Sequence, residues 1–224
     1  MSNITAIIDD FIAPKCHAEI GILYRDDALL VINKPSGLLS LSGKNPLNKD
    51  SVHLRLVQQF AGALMAHRLD FGTSGLMLIA LTKKVNAHLT KQFQNQRVNK
   101  RYIAHLYSDL ESAQGTINLP IGKSVFPRQK ICNHSGKPAQ THYKVLERDP
   151  DMQYTRVEFY PQTGRTHQLR LHSQAIGHPI IGCDLYANDV SQALANRLML
   201  HASDIEFEHP VTHQILKISA PCPF

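Results

Sequence analysis

A short polar bend between two apolar segments constrains this chain more than any other feature of its sequence. Residues 67–75 read HRLDFGTSG and are followed by the apolar run LMLIAL at residues 76–81. This pattern predicts a buried strand with a loop at its amino-terminal end. A carboxylate in that loop, Asp70, has a rigid support and an open approach, as catalytic groups commonly do. Asp70 can equally be a turn residue that caps the bend and pairs with Arg68, because aspartate, glycine, threonine and serine are ordinary turn residues.

The remaining pattern predicts an α+β fold with a large, mainly antiparallel sheet. Strands follow one another in hairpins while helices are interspersed irregularly, which favours α+β over repeated βαβ units. The predicted strands include residues 20–25, 29–34, 101–107, 140–147, 154–160, 198–201, 205–208 and 214–219. Periodic apolar positions predict helices at residues 52–60, 83–96, 168–176 and 190–197.

Length and cysteine usage limit the class of protein. The 224 residues are enough for a substantial core in one domain or two closely packed lobes. No apolar run of about 18 residues is present, and the amino terminus lacks a basic segment followed by an apolar one, so we expect neither a membrane span nor a signal peptide. Cys16, Cys132, Cys183 and Cys222 form no C-x-x-C pair, so we expect reduced thiols in a cytoplasmic protein.

The histidines do not show the spacing of a metal site. The chain contains no H-E-x-x-H motif, and His167 and His172 are too far apart in sequence to share one helix face. We therefore expect no metal. The histidines near the polar motifs are interpreted as structural hydrogen-bonding residues or nucleic-acid contacts; they are His67, His167, His172, His178 and His201.

The charge balance favours a polyanionic partner. Lysine and arginine exceed aspartate and glutamate by six, and the excess is concentrated in residues 83–101 and 123–137. Such patches suit phosphate contacts, which dominate nucleic-acid affinity. A solvated helix face and a flexible basic loop give the same pattern, so charge alone leaves RNA binding open.

Ordered motifs along the chain resemble those of the RluA family of pseudouridine synthases. HRLDFGTSG at residues 67–75 resembles the family signature HRLD-x-x-TSG, and KPSG at residues 34–37 resembles an early family element. Further matches follow in the family's order: KRYIA at residues 100–104, GKPAQT at 136–141, TGRTHQLRLH at 163–172, GHPIIG at 177–182 and LHA at 200–202. The resemblance covers nearly the whole chain.

The resemblance implies the pseudouridine synthase catalytic fold, a mixed sheet in two lobes with flanking helices and an RNA-binding cleft. We expect an N-terminal extension at residues 1–19 and the catalytic domain at residues 20–224, without an S4-type RNA-binding domain. The chain is most similar to short family members that modify a stem-loop of large-subunit rRNA and the tRNA anticodon stem-loop. By the family default we expect a monomer without an obligate protein partner.

The implied reaction sets the chemistry of the site. Uridine becomes pseudouridine when the N1–C1′ bond breaks and the base rejoins the sugar through C5. No redox change occurs and no atoms are lost, so we expect no cofactor. The site needs a carboxylate nucleophile, acting on the sugar or the base, that a neighbouring cation keeps ionised in a partly dry pocket. The resemblance implies Asp70 as nucleophile, Arg170 as its ion-pair partner and Tyr102 as the ring on which the flipped uracil stacks.

RNA contacts are expected from five cations. The resemblance implies that Arg68 fills the space vacated by the flipped nucleotide and that Arg165 supports its loop or the RNA backbone. Lys100 flanks Tyr102 within its motif, and Arg128 and Lys130 belong to the basic segment at residues 123–137, which we expect to be an RNA-contacting loop.

An inactive RNA-binding or ribosome-assembly factor on the same scaffold is the alternative function. Such a protein would usually have lost at least one site residue, whereas Asp70, Tyr102 and Arg170 are all present. The sequence therefore favours the enzyme. The motifs do not specify which RNA or which uridine is the substrate.

Overall fold

Most strands of the chain join one mixed sheet. The structure is a computed structural model that describes residues 11–149, 151 and 153–224. Its strands are β1 (Gly21–Arg25), β2 (Leu29–Lys34), β3 (Leu64–Met65), β4 (Ser74–Ala80), β5 (Asn99–Tyr107), β6 (Gln114–Asn118), β7 (Ile121–Lys123), β8 (Gln129–Ile131), β9 (Gln140–Asp149), β10 (Tyr154–Pro161), β11 (Leu200–Glu208) and β12 (Ile215–Ser219). Its helices are α1 (Val52–Val57), α2 (Lys83–Gln94), α3 (Gln168–Ala175) and α4 (Asp189–Ala193).

The large sheet is mainly antiparallel. Its strand order is β1-β2-β4-β11-β5-β10-β9-β6, with β3 paired to β4 and β12 paired to β11. The pairing of β4 with β11 is parallel, whereas the other paired strands of the described chain are antiparallel. The predicted α+β fold is confirmed.

Local signals in the sequence account for the first half of the fold. The β1–β2 hairpin turns at Asp26, whose carboxylate accepts hydrogen bonds from the backbone N–H groups of Ala28 and Leu29 at 2.8 and 2.9 Å. Helix α1 begins after Ser51, and helix α2 begins after Thr82; each hydroxyl caps the helix that follows it. None of the helices in the described residues is long and apolar enough to cross a membrane.

The core lies on both faces of β2 and β4. Every residue of β4 is buried, which is why its sequence is apolar without alternation. One cluster packs α2 and β11 against one face, and a second packs α1 against the other. A third cluster joins β5 and β10 to α3 in the second half of the chain. The sheet therefore connects two halves that each have a core.

The two halves meet where β4 and β11 pair. Only two residue pairs form this contact, His201 with Ser74 and Ala202 with Gly75. Gly75 has φ of +112°, and a Cβ atom there would lie 2.3 Å from the carbonyl oxygen of Ala202. The backbones approach this closely only because the residue is glycine. The contact lies immediately after the loop that carries Asp70.

Three element predictions are wrong in detail. The sequence predicts two strands at residues 198–201 and 205–208, but β11 is continuous and has a register shift between Ala202 and Asp204. The predicted helix at residues 190–197 ends early as α4; the carbonyl oxygen of Ser191 accepts the backbone N–H of Gly182 at 3.0 Å, and the carbonyl of Arg197 packs against the same glycine. The expected loop at residues 123–137 instead includes β8, which pairs with β7 in a separate hairpin.

Candidate active site

The loop that carries Asp70 is fixed by the segment after β2. The hydroxyl of Ser36 donates to the carbonyl oxygen of Gly72 at 2.7 Å, and the hydroxyl of Ser40 donates to that of Leu69 at 2.6 Å. These bonds flank Asp70 on both sides. The KPSG motif and the HRLD motif are therefore parts of one structural unit.

Lys34 holds the same loop through hydrogen bonds to backbone carbonyl groups. Its side chain is fully buried, and its Nζ donates to the carbonyl oxygens of Pro35, Leu38 and Phe71 at 2.9, 2.7 and 3.1 Å. Burial lowers the pKa of Lys34, while the charge of Asp70 opposes this change. Three carbonyl acceptors match the three N–H donors of an ammonium group. Lys34 thus holds the backbone at the residue that follows Asp70.

Arg170 approaches Asp70 from α3. Its Nη1 lies 3.7 Å from Oδ2 of Asp70, and its side chain is 5% exposed against 26% for Asp70. The guanidinium also contacts Asp184, donates from Nε to Sγ of Cys183 at 3.2 Å, and lies over the ring of Tyr186 with 5.2 Å between Cζ and the ring centroid. Burial opposes its charged form, but Cys183, Asp70 and Asp184 together raise the pKa of Arg170. Arg170 is therefore a permanent cation shared between two carboxylates.

His167 lies closer to Asp70 than its motif indicates. The sequence suggests a structural residue or an RNA contact, but Nε2 of His167 lies 3.9 Å from Oδ2 of Asp70. Burial lowers the pKa of His167, and the charge of Asp70 acts against this effect. His167 precedes α3 with a left-handed backbone, so helix spacing gives no signal for this contact; the only signal in the sequence is its place beside Arg170 in the TGRTHQLRLH motif.

Tyr102 reaches the site across the sheet. It lies on β5 opposite Ala202 of β11, which in turn pairs with Gly75 of β4. Burial raises the pKa of the Tyr102 hydroxyl, and the charge of Asp70 raises it further. The hydroxyl therefore stays protonated at neutral pH.

One pocket brings the three predicted catalytic residues together. Asp70, Tyr102 and Arg170 line it with His167. Three of the predicted RNA contacts line it too: Arg68, Lys100 and Arg165. The same three cations continue into a neighbouring polar groove that passes the end of α2 at Gln94 and Gln96. The pocket thus opens onto a positively charged path along the surface.

The five cations expected to contact RNA differ in their surroundings. Arg68 is exposed at the rim, and Arg165 is exposed with its Nε donating to the carbonyl oxygen of Pro138 at 3.0 Å. Lys100 is half-buried in the pocket wall, and burial lowers the pKa of this lysine to about 8. The structure does not bring Arg128 and Lys130 into the pocket; both are exposed on the β7–β8 hairpin.

A histidine–glutamate cluster lies far from this pocket. Among the described residues, only His88, Glu208 and His213 group their donor atoms within 4.8 Å of one another. Gln92 is oriented by two bonds to the backbone of Glu208, and its amide Nε2 donates to Nδ1 of His88 at 3.0 Å. The proton of neutral His88 is therefore on Nε2, the atom that would face a metal. This arrangement disfavours a metal site.

Comparisons with known proteins identify the family of this chain. Residues 28–175 match the profile of the family described as RNA pseudouridylate synthase. The chain belongs to the RNA pseudouridylate synthase family. It is 46% identical over 213 residues to the dual-specificity RNA pseudouridine synthase RluA of Pasteurella multocida, covering 94% of this chain and 97% of that protein. It is 42% identical over 205 residues to the protein of the same name from Escherichia coli (strain K12), covering 91% and 93%.

Two solved human structures have the same fold as this pseudouridine synthase. Human RNA pseudouridylate synthase domain containing 1 superposes with a TM-score of 0.77 at 30% identity, covering 94% of this chain and 86% of the human chain. Human RNA pseudouridylate synthase domain containing 4 gives a TM-score of 0.72 at 25% identity, covering 91% and 88%. The sequence-based identification is confirmed: the protein is an isomerase that forms pseudouridine in RNA.

The half-buried position of Lys100 predicts a pH-dependent RNA affinity. With a pKa of about 8, Lys100 loses its charge as pH rises from about 7 to about 9, so its attraction for a phosphate disappears and affinity falls roughly two- to fivefold. Arginine stays protonated over this range. The Lys100→Arg variant should therefore keep its affinity as pH rises, as measured by RNA binding at constant ionic strength.

The control for this prediction is Lys84→Arg, at an exposed position at the start of α2. It should retain the pH dependence of the wild type. An equal fall in affinity for wild type and Lys100→Arg would show that Lys100 is not the titrating group.

Proposed function

We propose that this synthase has dual specificity and isomerises uridine in a stem-loop of large-subunit rRNA and in the tRNA anticodon stem-loop. Two of its relatives carry the name dual-specificity RNA pseudouridine synthase, and each matches more than nine-tenths of this chain. The observation that supports isomerisation at this site is the pocket, where Arg170 lies 3.7 Å from Asp70 beside Tyr102.

In the proposed mechanism Asp70 is the nucleophile. Arg170 pairs with it, and the carboxylate attacks the nucleoside or assists loss of a sugar proton. The N1–C1′ bond breaks, the uracil turns within the pocket, and C5 bonds to C1′. The bond that Asp70 formed to the nucleoside then breaks, or the sugar proton that it helped to remove returns. The proton on C5 leaves to solvent and N1 gains one, so atoms and electrons balance. The ring of Tyr102 holds the flipped base by stacking, and its neutral hydroxyl is available to move the C5 proton.

The proposed RNA interface combines the pocket rim with the β7–β8 hairpin. Arg68, Lys100 and Arg165 surround the opening, where a flipped nucleotide must leave and re-enter its stem. Arg128 and Lys130 provide further cations on the hairpin. Its tip exposes Val125 and Phe126 by 79% and 56%. Cations beside an exposed aromatic ring suit a loop of unpaired, stacked bases.

We further propose a cytoplasmic monomer with an extension at residues 1–19 and a catalytic domain at residues 20–224. All four cysteines are free thiols, which suits a reducing compartment. Residues 1–10 of the extension lie outside the described part of the chain. The following residues contact the catalytic domain: the N–H of Ala13 donates to Oδ1 of Asn48 at 2.8 Å, and Arg55 donates to the carbonyl oxygen of Ala18 at 2.7 Å.

Asp70→Asn tests the proposed function. It preserves the size of the side chain but removes the nucleophilic charge, so we expect complete loss of pseudouridine formation. The measurement is tritium release from ribosomal RNA and tRNA that carry uridine tritiated at C5 and are transcribed without other modifications. Release from both RNA pools by the wild type would support dual specificity, and release from one pool alone would contradict it.

The matched control is Asp27→Asn, an exposed carboxylate on the β1–β2 turn at the opposite end of β4. It should release tritium at the wild-type rate. Release that survives Asp70→Asn would exclude Asp70 as nucleophile. Intact RNA binding without release by the wild type would instead favour the inactive RNA-binding factor.

Neutralising the hairpin tests the RNA interface. Arg128→Gln/Lys130→Gln should weaken RNA binding and reduce the slope of log affinity against log salt by up to about one unit for each phosphate that is no longer neutralised. Binding is measured across a salt series. The matched control is Lys83→Gln/Lys84→Gln, two exposed lysines at the far end of β4 from Asp70. An unchanged slope in the hairpin variant would show that Arg128 and Lys130 do not touch the RNA.

A further inference from the structure

Tyr186 connects three parts of the molecule that converge on Asp70. The residue is buried, and its hydroxyl lies 2.8 Å from the backbone N of Gln129 on β8 and 2.6 Å from Nδ1 of His167. The guanidinium of Arg170 lies over the face of the Tyr186 ring. Among the described residues, His167 and Arg170 are the two basic side chains with a nitrogen within 4 Å of the Asp70 carboxylate.

The contacts of Tyr186 bear on the tautomer of His167. The backbone N–H of Gln129 donates to the hydroxyl oxygen, and the same hydroxyl lies 2.6 Å from Nδ1 of His167, so its single proton is available to that nitrogen. The carboxylate of Asp70, whose Oδ2 lies 3.9 Å from Nε2, is an acceptor and favours an N–H on that side of the ring. Together the two contacts favour neutral His167 with its proton on Nε2.

The backbone of His167 supports the same interpretation. Its φ of 58° lies in the left-handed region, which is uncommon for a residue with a side chain, and its side chain makes no capping bond to α3. The orientation of the imidazole ring therefore depends on two contacts, with Tyr186 at Nδ1 and with Asp70 near Nε2.

We propose that Tyr186 is a positioning residue that couples the β7–β8 hairpin to Asp70. Its hydroxyl directs the Nε2–H of His167 towards the carboxylate, and its ring holds Arg170 beside it. The inference rests on the proposed role of Asp70. The added point concerns the β7–β8 hairpin: because the backbone N–H of Gln129 holds Tyr186, the hairpin sets the positions of His167 and Arg170 beside Asp70. Contact of the hairpin with RNA and the geometry of Asp70 are thereby linked.

The link has a consequence for pH dependence. The charged groups that act on His167 are Asp70 and Asp184, which favour its protonation, and Arg170 and Arg68, which oppose it. The hydroxyl of Tyr186 stabilises the neutral imidazole by donating to Nδ1. Without that hydroxyl, His167 gains a proton at higher pH and becomes a cation against Asp70. In an NMR titration, His167 should therefore gain its proton at higher pH in Tyr186→Phe than in the wild type.

Tyr186→Phe tests the inference because it removes the hydroxyl and keeps the ring beneath Arg170. We expect the single-turnover rate at saturating RNA to fall roughly tenfold, the effect of losing one well-placed hydrogen bond, while RNA affinity stays within about twofold. The matched control is Tyr24→Phe, which loses a hydroxyl bond of 2.7 Å to Asp26 at the far end of the sheet. The control should keep the wild-type rate.

A second pair of variants keeps the test independent of the folding of Tyr186→Phe. Gln at position 167 retains an N–H donor of similar reach, whereas Leu does not. We expect His167→Gln to be faster than His167→Leu, although both place a side chain on the same left-handed backbone. Equal rates for the two variants would exclude the N–H donor from the mechanism.

The tautomer gives a readout that does not depend on activity. Nitrogen-15 NMR of labelled wild-type protein should show His167 neutral with its proton on Nε2. In Tyr186→Phe, neutral His167 should become a mixture of its two tautomers. A proton on Nδ1 in the wild type would overturn the inference whatever the enzyme does. If the wild type is active and Tyr186→Phe is as fast as Tyr24→Phe, the inference about Tyr186 is wrong. The proposed function would then be unaffected. A wild type that releases no tritium would overturn the proposed function and, with it, the role given to Tyr186.

Discussion

The ion pair between Asp70 and Arg170 is the interaction on which the geometry of the candidate active site depends. Arg170 is almost completely buried, and a buried cation is tolerated only when anions and hydrogen-bond acceptors surround it. Asp184 and Cys183 meet part of this requirement, and Nη1 of the guanidinium is left to Asp70. Under the proposed function, this contact places a permanent cation beside the carboxylate that acts as nucleophile.

The sheet brings these groups together from distant parts of the chain. Asp70 comes from the loop before β4, Tyr102 from β5 and Arg170 from α3. The parallel contact of β4 with β11 joins the two halves of the sheet, and Gly75 permits it by having no side chain. Lys34 and the two serines of the preceding segment then hold the Asp70 loop. These hydrogen bonds fix the loop at several points on both sides of Asp70.

Local signals in the sequence predict much of the fold and the candidate residues. The helix starts at residues 52 and 83 and the apolar run of β4 depend on neighbours in sequence, and the structure confirms them. The HRLD and TGRTHQLR motifs predict Asp70 and Arg170 by resemblance. The contacts of Asp184 and Tyr186 could not be predicted, because they depend on how residues 183–186 pack against α3. The continuity of β11 is hidden for a related reason: its register shift interrupts the local pattern.

The most direct test of the ion pair replaces the cation and leaves the carboxylate in place. Arg170→Met keeps much of the length and apolar surface of the side chain, and Arg170→Lys keeps the charge without the planar fork. With RNA saturating and folding verified by circular dichroism, we predict a single-turnover rate at least about 100-fold lower for Arg170→Met and a smaller loss for Arg170→Lys. A folded Arg170→Met variant that forms pseudouridine within about threefold of the wild-type rate would contradict the central role of the ion pair.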